Sequence, residues 1–210
     1  GDKNFFAQAT FVKDITPGYK IQLNGKFAYD YTHYLSRDTV QFLQENVTKK
    51  MQFDNTYYQQ DWYISMVNMY SILPVWDISL SVDFQYNKLN AVMRGVGTPF
   101  TFPQRYTTWA AFATALNLGK WKLQADVLGT FVIEKVRNNV KAPDKSEFSP
   151  ALIIGYKPFG NHDLNLRAFY KRIFRLPTFN DLYYAQIGFS QLKPEFTDPV
   201  SYTHLTMPTT

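Results

Sequence analysis

Three histidines, two carboxylates on one segment, a pair of glycines and a few arginines are the residues with chemistry in them. A Ser-His-Asp triad or a histidine metal site needs side chains that converge. His33 stands at the end of one strand-like segment and His162 in a tight turn at the opposite end, while His204 lies in a terminal stretch that breaks the pattern. No convergence is expected, so no catalytic residue, metal ligand or cofactor is assigned. The chain has no cysteine, which removes disulfides and thiolate ligands. Asp77 and Asp83 read as solvated wall residues. Gly95-Val96-Gly97 has Phe100 where a phosphate cradle needs a third glycine, and reads as loop flexibility. Lys49-Lys50, the adjacent lysine pair, sits in a connecting segment as a solvated loop, and no nucleic-acid partner is expected. The stretch Met93–Gln104, with Arg94, Phe100 and Phe102, is the candidate ligand-contact loop, since binding groups gather on loops held by a rigid scaffold. Ordinary loop packing is its alternative.

The elements that would hold these residues are strands. Four segments alternate with a period of two, which puts successive side chains on opposite faces. In 20–32 the apolar set is Ile21, Leu23, Gly25, Phe27, Tyr29 and Tyr31. In 76–87 it is Trp76, Ile78, Leu80, Val82, Phe84 and Tyr86. In 121–134 it runs from Trp121 through Val127 to Ile133, and in 164–171 it is Leu164, Leu166, Ala168 and Tyr170. All ten charged residues of the four segments fall on the other parity. Weaker strands are expected at Phe5–Lys13, Tyr57–Ser71, Arg105–Leu118 and Glu147–Lys157. In Tyr57–Ser71, Asn68 shares a parity with Trp62, Ile64 and Met66. The fold class is therefore all-β, an antiparallel up-and-down meander of about eight long strands.

Connection lengths alternate as well. Short turns fall at Thr16–Gly18, around Leu73–Val75, at Gly119-Lys120 and at Gly160–Asp163. Long loops are expected at 33–56, 88–104, 135–146 and from Arg172 onward. All short turns then lie at one end of the sheet, an asymmetry of outer-membrane barrels. A soluble lipocalin-like barrel shares the alternation but buries its apolar side. Three features favour lipid: segments long enough to cross a bilayer at a tilt, Trp76 and Trp121 beside short turns where an aromatic girdle sits, and a polar parity rich in small and amide residues. The 15 Tyr and 18 Phe of the 210 residues suit such belts, and the net charge of +5 is spread along the chain. No apolar run reaches the ~18 residues of a transmembrane helix.

The segment Leu166–Glu195, LRAFYKRIFRLPTFNDLYYAQIGFSQLKPE, resembles the barrel of a TonB-dependent outer-membrane receptor of the Bacteroidetes type. The matching positions are Arg175, then Pro177, Thr178, Phe179, Asn180, Asp181, Leu182, Tyr183 and Tyr184, then Gly188, and finally Leu192, Lys193, Pro194 and Glu195. Trp76–Ala91 and Pro103–Trp109 are similar to strands and loops of the same family, and the resemblance spans most of 55–198. It implies a plugged 22-stranded barrel in the outer membrane of a Gram-negative bacterium. Such a barrel takes up a scarce small molecule or glycan (iron chelate, cobalamin or glycan), powered by the TonB complex through its plug domain. The chain shows no plug and no closing strand, and so reads as a partial transmembrane β-barrel facing outer-membrane lipid. The motif residues are expected mainly to fix loop geometry: Pro177 stops pairing, Asn180-Asp181 build a turn and Pro194 constrains the approach to the next strand. The functional alternative has Arg175, Tyr183 or Tyr184 touching plug or ligand. A complete eight-stranded outer-membrane barrel with a structural or adhesive role and a soluble ligand-binding β-barrel remain the other readings of the whole chain.

The tail, Val200–Thr210, resembles translated sequencing adapter. Natural sequence is then expected to stop near Asp198 or Pro199, leaving 1–198 as receptor barrel and 199–210 as a non-native tail.

Overall fold

A computed structural model describes residues 1–42, 47–94, 100–159, 164–183 and 189–204; side chains within 36–53 and 201–204, and that of Asn180, are outside the description. Eight strands follow one another along the chain: β1 (Asp2–Thr16), β2 (Tyr19–Phe42), β3 (Val47–Leu73), β4 (Trp76–Arg94), β5 (Gln104–Leu118), β6 (Trp121–Lys135), β7 (Lys145–Tyr156) and β8 (Leu166–Lys171). Each pairs antiparallel with the next, so the order in the sheet is the order in the chain. Beyond β8 come β9 (Ile173–Arg175), the short helix α1 (Phe179–Tyr183), β10 (Glu195–Thr197) and β11 (Val200–His204). β9 and β10 form a separate small ladder, and β11 adds to the free edge of β8 as a ninth strand of the main sheet. The sheet is an open meander. Among the described residues no helix is long and apolar enough to cross a membrane, which says nothing of crossing by strands.

Registers bring every apolar parity to one face. Across the middle of the sheet Leu23 pairs Met66, Met66 pairs Val82, Val82 pairs Ala110, and Ala110 pairs Gly129. One row toward the turns, Leu80 pairs Phe112 and Phe112 pairs Val127. These side chains lie open, Val82 at 50% and Leu80 at 46%. Opposite them run Asp83, Asp126, Arg167 and Lys171 with Ser79, Ser81, Ala111 and Ala113. A contiguous exposed apolar sheet face of this size is foreign to a water-solvated monomer.

Aromatic pairs edge the apolar band. Toward the long connections Phe27 meets Trp62 at 4.4 Å, Tyr31 meets Tyr58 at 5.4 Å and Tyr86 meets Tyr106 at 4.9 Å. Toward the short turns Tyr19 stacks on Tyr70 at 4.4 Å and Trp121 on Tyr156 at 4.3 Å, while the Trp76 indole N–H donates to Thr114 Oγ1 at 2.9 Å. Asn68, the misfit of its strand, sits at this edge and accepts the Tyr19 hydroxyl at 2.8 Å. From Trp76 to Tyr86 is roughly 34 Å along β4, and a tilt of about 45° projects this to about 24 Å, close to the apolar height of an outer-membrane barrel.

Of two expected loops, 33–56 is ladder over its described residues and 88–104 is ladder over 88–94. β2 and β3 stay paired from His33↔Thr56 to Phe42↔Val47, and β4 follows β3 as far as Asp54↔Arg94. Beyond the girdle lipid no longer selects the outward parity, and on β4 the apolar residues Leu89, Ala91 and Met93 fall on the inward one, so the alternation of the spanning segment breaks there although backbone pairing continues. The short turns at 17–18, 74–75 and 119–120 stand as expected, Gly119 with φ +61°. The Gly160–Asp163 turn lies outside the described residues. The tail set aside as foreign to the fold also contributes β11, since an unpaired edge accepts an extended segment readily.

Candidate functional site

The buried side chains gather at the end of the sheet where β4, β5 and β6 leave the girdle. Leu89, Ala91 and Phe100 form one cluster, with Tyr57, Met93, Phe102 and Phe179 against it; Ala142, Leu182 and Tyr183 form a second, with Val136 and Phe179. Phe179 belongs to both, so α1 acts as a wedge between them.

An ion pair anchors this core. Arg105 on β5 faces Glu134 on β6 across the ladder, and its Nε donates to Glu134 Oε1 at 2.6 Å. Glu134 is 2% exposed. The guanidinium covers the Phe179 ring at 4.9 Å. The Glu134 N–H donates to Asp144 Oδ1 at 3.0 Å, and Lys141 Nζ reaches the same carboxylate at 3.0 Å. These contacts, the Glu134 N–H foremost, hold the Asp144 carboxyl below the usual range. The Tyr183 hydroxyl completes the lock: it accepts the Ala142 N–H at 3.0 Å and donates to Glu134 Oε2 at 3.4 Å. Burial pushes the Tyr183 phenol up to about 12.

Local chemistry explains α1. Thr178 is its cap: the Asp181 N–H donates to Thr178 Oγ1 at 3.2 Å, and the Thr178 N–H donates back to Asp181 Oδ2 at 2.8 Å. This is a reciprocal capping box, and the Thr178 N–H foremost, with the Thr178 hydroxyl beside it, holds the Asp181 carboxyl below the usual range. The preceding Pro177 is buried. A second set of bonds ties the 136–144 loop to the 100–103 loop. Arg137 N–H donates to Thr101 O at 3.1 Å and Asn138 Nδ2 to Phe100 O at 2.9 Å. The Arg137 cation lies 5.1 Å over Phe102, which has φ +50°.

The other motif positions fall around this lock. Arg175 pairs Glu195 across β9 and β10, so the two ends of the motif meet. The Leu192 carbonyl accepts Lys145 Nζ at 3.1 Å, Lys193 is exposed and Pro194 is half-buried. Tyr184 and Gly188 lie outside the described residues, as do Gly95–Gly97 and His162. In the candidate contact loop Arg94 is exposed, 3.9 Å from Asp54, which also holds His33 at 2.7 Å. Phe100, by contrast, is 8% exposed: it is loop core rather than an outward contact, because Tyr57 and Phe102 close over it. Asp77 and Asp83 share a face but stand about 20 Å apart along β4, too far to work as a pair.

Arg105, Glu134, Ala142 and Asp144 were not among the residues singled out from sequence. A signal for the ion pair was there. A two-residue turn at Gly119-Lys120 fixes which residues of the two strands face each other, and counting outward sets Arg105 opposite Glu134. The lock can brace the loops; it offers no nucleophile beside a base. Among the described residues no His, Asp and Glu converge as a metal-ligating group.

The model of the family described as TonB dependent receptor-like, beta-barrel matches residues 1–198. No curated protein matches the chain. The one-sided apolar face, the girdles and this match over nearly the whole length agree: the chain belongs to the TonB-dependent receptor-like β-barrel family, outer-membrane receptor and transport barrels of Gram-negative bacteria.

Proposed function

We propose that this chain is a section of barrel wall in a TonB-dependent receptor of the Bacteroidetes type, taking up a scarce small molecule or glycan. Iron chelates, cobalamin and glycans are the ligand classes that fit. The observation that carries the reading is the single apolar face bounded by aromatic rows, with the mid-strand charges of β3 to β6 on the opposite face; Lys13, near the turn end of the edge strand β1, is the charge that shares the apolar parity. That face meets lipid; the charged face meets water and the plug domain, through which TonB acts. The braced loop end supports a rigid rim for ligand entry, with α1 and the Arg175–Glu195 ladder as its structural parts. Residues 1–198 are the working segment, and 199–210 read as adapter-derived sequence outside it.

The test is assembly of the complete receptor that carries this segment. A lysine near the bilayer midplane on the lipid face costs about 2–4 kcal/mol. Val127→Lys therefore blocks assembly into the outer membrane, while Gln124→Lys, on the charged face of the same strand, assembles normally. Equal assembly of both overturns the assignment of faces.

A further inference from the structure

One row of the lipid-facing parity is not apolar. Gln60 pairs Lys88, Lys88 pairs Gln104, and Gln104 pairs Lys135, giving a continuous polar row across β3 to β6. It lies two residues beyond the row Trp62, Tyr86, Tyr106 and Ile133, about 7 Å further toward the long connections, with Tyr58 of the girdle two residues beyond Gln60 on β3. Lys135 Nζ reaches back over the Tyr106 ring at 5.2 Å. Among the described residues neither lysine has a carboxylate within ion-pair distance. The sheet's other outward charges with described side chains at this end are Lys3, and higher up Arg94 and His33, which share Asp54. Asp54 is the one outward carboxylate of the sheet among those side chains, and it is already paired.

We infer that the Gln60–Lys88–Gln104–Lys135 row binds the phosphate of an anionic lipid headgroup in the leaflet that covers the long-connection end. The inference rests on the lipid-facing reading above and adds a partner to it. Lys88 and Lys135 lie two strand spacings apart, roughly 10 Å, a span suited to a headgroup with two phosphates or to two adjacent headgroups. The amides of Gln60 and Gln104 supply donors beside the cations. The acyl chains of such a lipid would lie along Tyr86, Tyr106, Phe84 and Ile133, placing charge and chain where the side chains change character. Long lysine stems reach the interface from the edge of an apolar surface.

The experiment compares phosphatidylglycerol with phosphatidylcholine bound to the complete receptor in neutral detergent, counted by native mass spectrometry. Attraction to an anionic surface is worth roughly fivefold per lysine. The wild type should retain the anionic lipid preferentially, and Lys88→Gln/Lys135→Gln should reduce that preference about 30-fold. Lys122→Gln/Lys171→Gln removes the same charge from the opposite face and should leave the preference unchanged. An equal loss in both double variants reduces the effect to net charge and overturns the site, as does an unchanged preference in the first. The lipid-facing reading fails separately, through normal assembly of Val127→Lys.

Discussion

Replacing Tyr183 by Phe removes one oxygen from the core of the loop end and leaves the ring in place. That oxygen accepts the Ala142 N–H at 3.0 Å, and Ala142 is fully buried. A buried donor left without a partner costs about 1–3 kcal/mol. The second bond, to Glu134 at 3.4 Å, is long, and Glu134 keeps Arg105 at 2.6 Å; its loss adds little. Packing of Leu182 and Ala142 against the ring survives, so the whole penalty falls on opening of the 136–144 loop. At RT of about 0.6 kcal/mol, such a cost raises local opening roughly 5- to 160-fold. Hydrogen exchange of peptides covering 136–144 in the complete receptor reads this directly, with the 119–120 turn as an unaffected internal reference. Unchanged exchange at Ala142 would refute the lock. The same group gives a pH test. The phenol is raised from 10.0 to about 12, so the fold favours its neutral form. The stabilisation is complete below pH 10, where both states are neutral, and is lost as pH rises from 10 to about 12. Loop exchange, corrected for its intrinsic pH dependence, should climb across that window in the wild type and not in Tyr183→Phe.

Removing one partner of the buried ion pair, Glu134→Leu or Arg105→Met, should destabilise the loop end by about 3–5 kcal/mol, and combining them should recover much of that loss; thermal unfolding of the purified barrel reads both. Gly18→Ala places a Cβ 2.8 Å from the Ser71 carbonyl oxygen, at a turn where the Ser71 N–H already donates to Gly18 O at 2.8 Å. Backbone must move there, and unfolding in urea should show a loss of about 1–3 kcal/mol; an unchanged midpoint would mean the turn has slack. Asp181 is held below 3.8 by its Thr178 bonds, so its contribution to α1 is present above pH 3.8 and lost as pH falls through the depressed folded value. Exchange in 178–183 should rise there, and Asp181→Asn should flatten the acid response.

How far the fold could be read in advance follows from where its two solvents lie. Between the girdles lipid and water meet the same strand, so residues such as Leu80 and Asp83 must sort by parity and the strand announces itself. Beyond Tyr31 and Tyr86 lipid no longer sorts the two faces: on β4 the apolar residues Leu89, Ala91 and Met93 switch to the inward parity and pack with Phe100 and Phe102. The pattern of the spanning segment breaks there, and a ladder looks like loop until backbone pairing is seen. Phe100 is a related case: an aromatic in a connecting segment reads as contact group or as loop packing, and the Tyr57 that helps bury it comes from β3, while Phe102 stands two residues further on. The registers, however, were within reach. Each tight turn sets the facing residues of its hairpin, and the parity rule supplies the face, so Arg105 and Glu134 could have been paired on paper. Only their burial could not, because it depends on α1 and the 136–144 loop arriving from two distant segments.

The motif around α1 makes physical sense in that setting. A strand leaving the membrane must be stopped, turned and fastened without help from lipid. Pro177 stops it, Thr178 and Asp181 turn it by capping each other, and Phe179, Leu182 and Tyr183 fasten it by burial. Each residue type is the one its task demands: a missing N–H, a hydroxyl facing a carboxylate, and rings large enough to cover an ion pair. Arg105 and Glu134 are costly to bury unless every polar atom is matched, and the Tyr183 hydroxyl, the Asp144 carboxylate and the Phe179 ring supply matches from three directions. Such an anchor is directional where a purely apolar one is not, so it fixes the orientation of α1 as well as its contact with the sheet. That is the property required of a rim that must keep its shape while ligand passes.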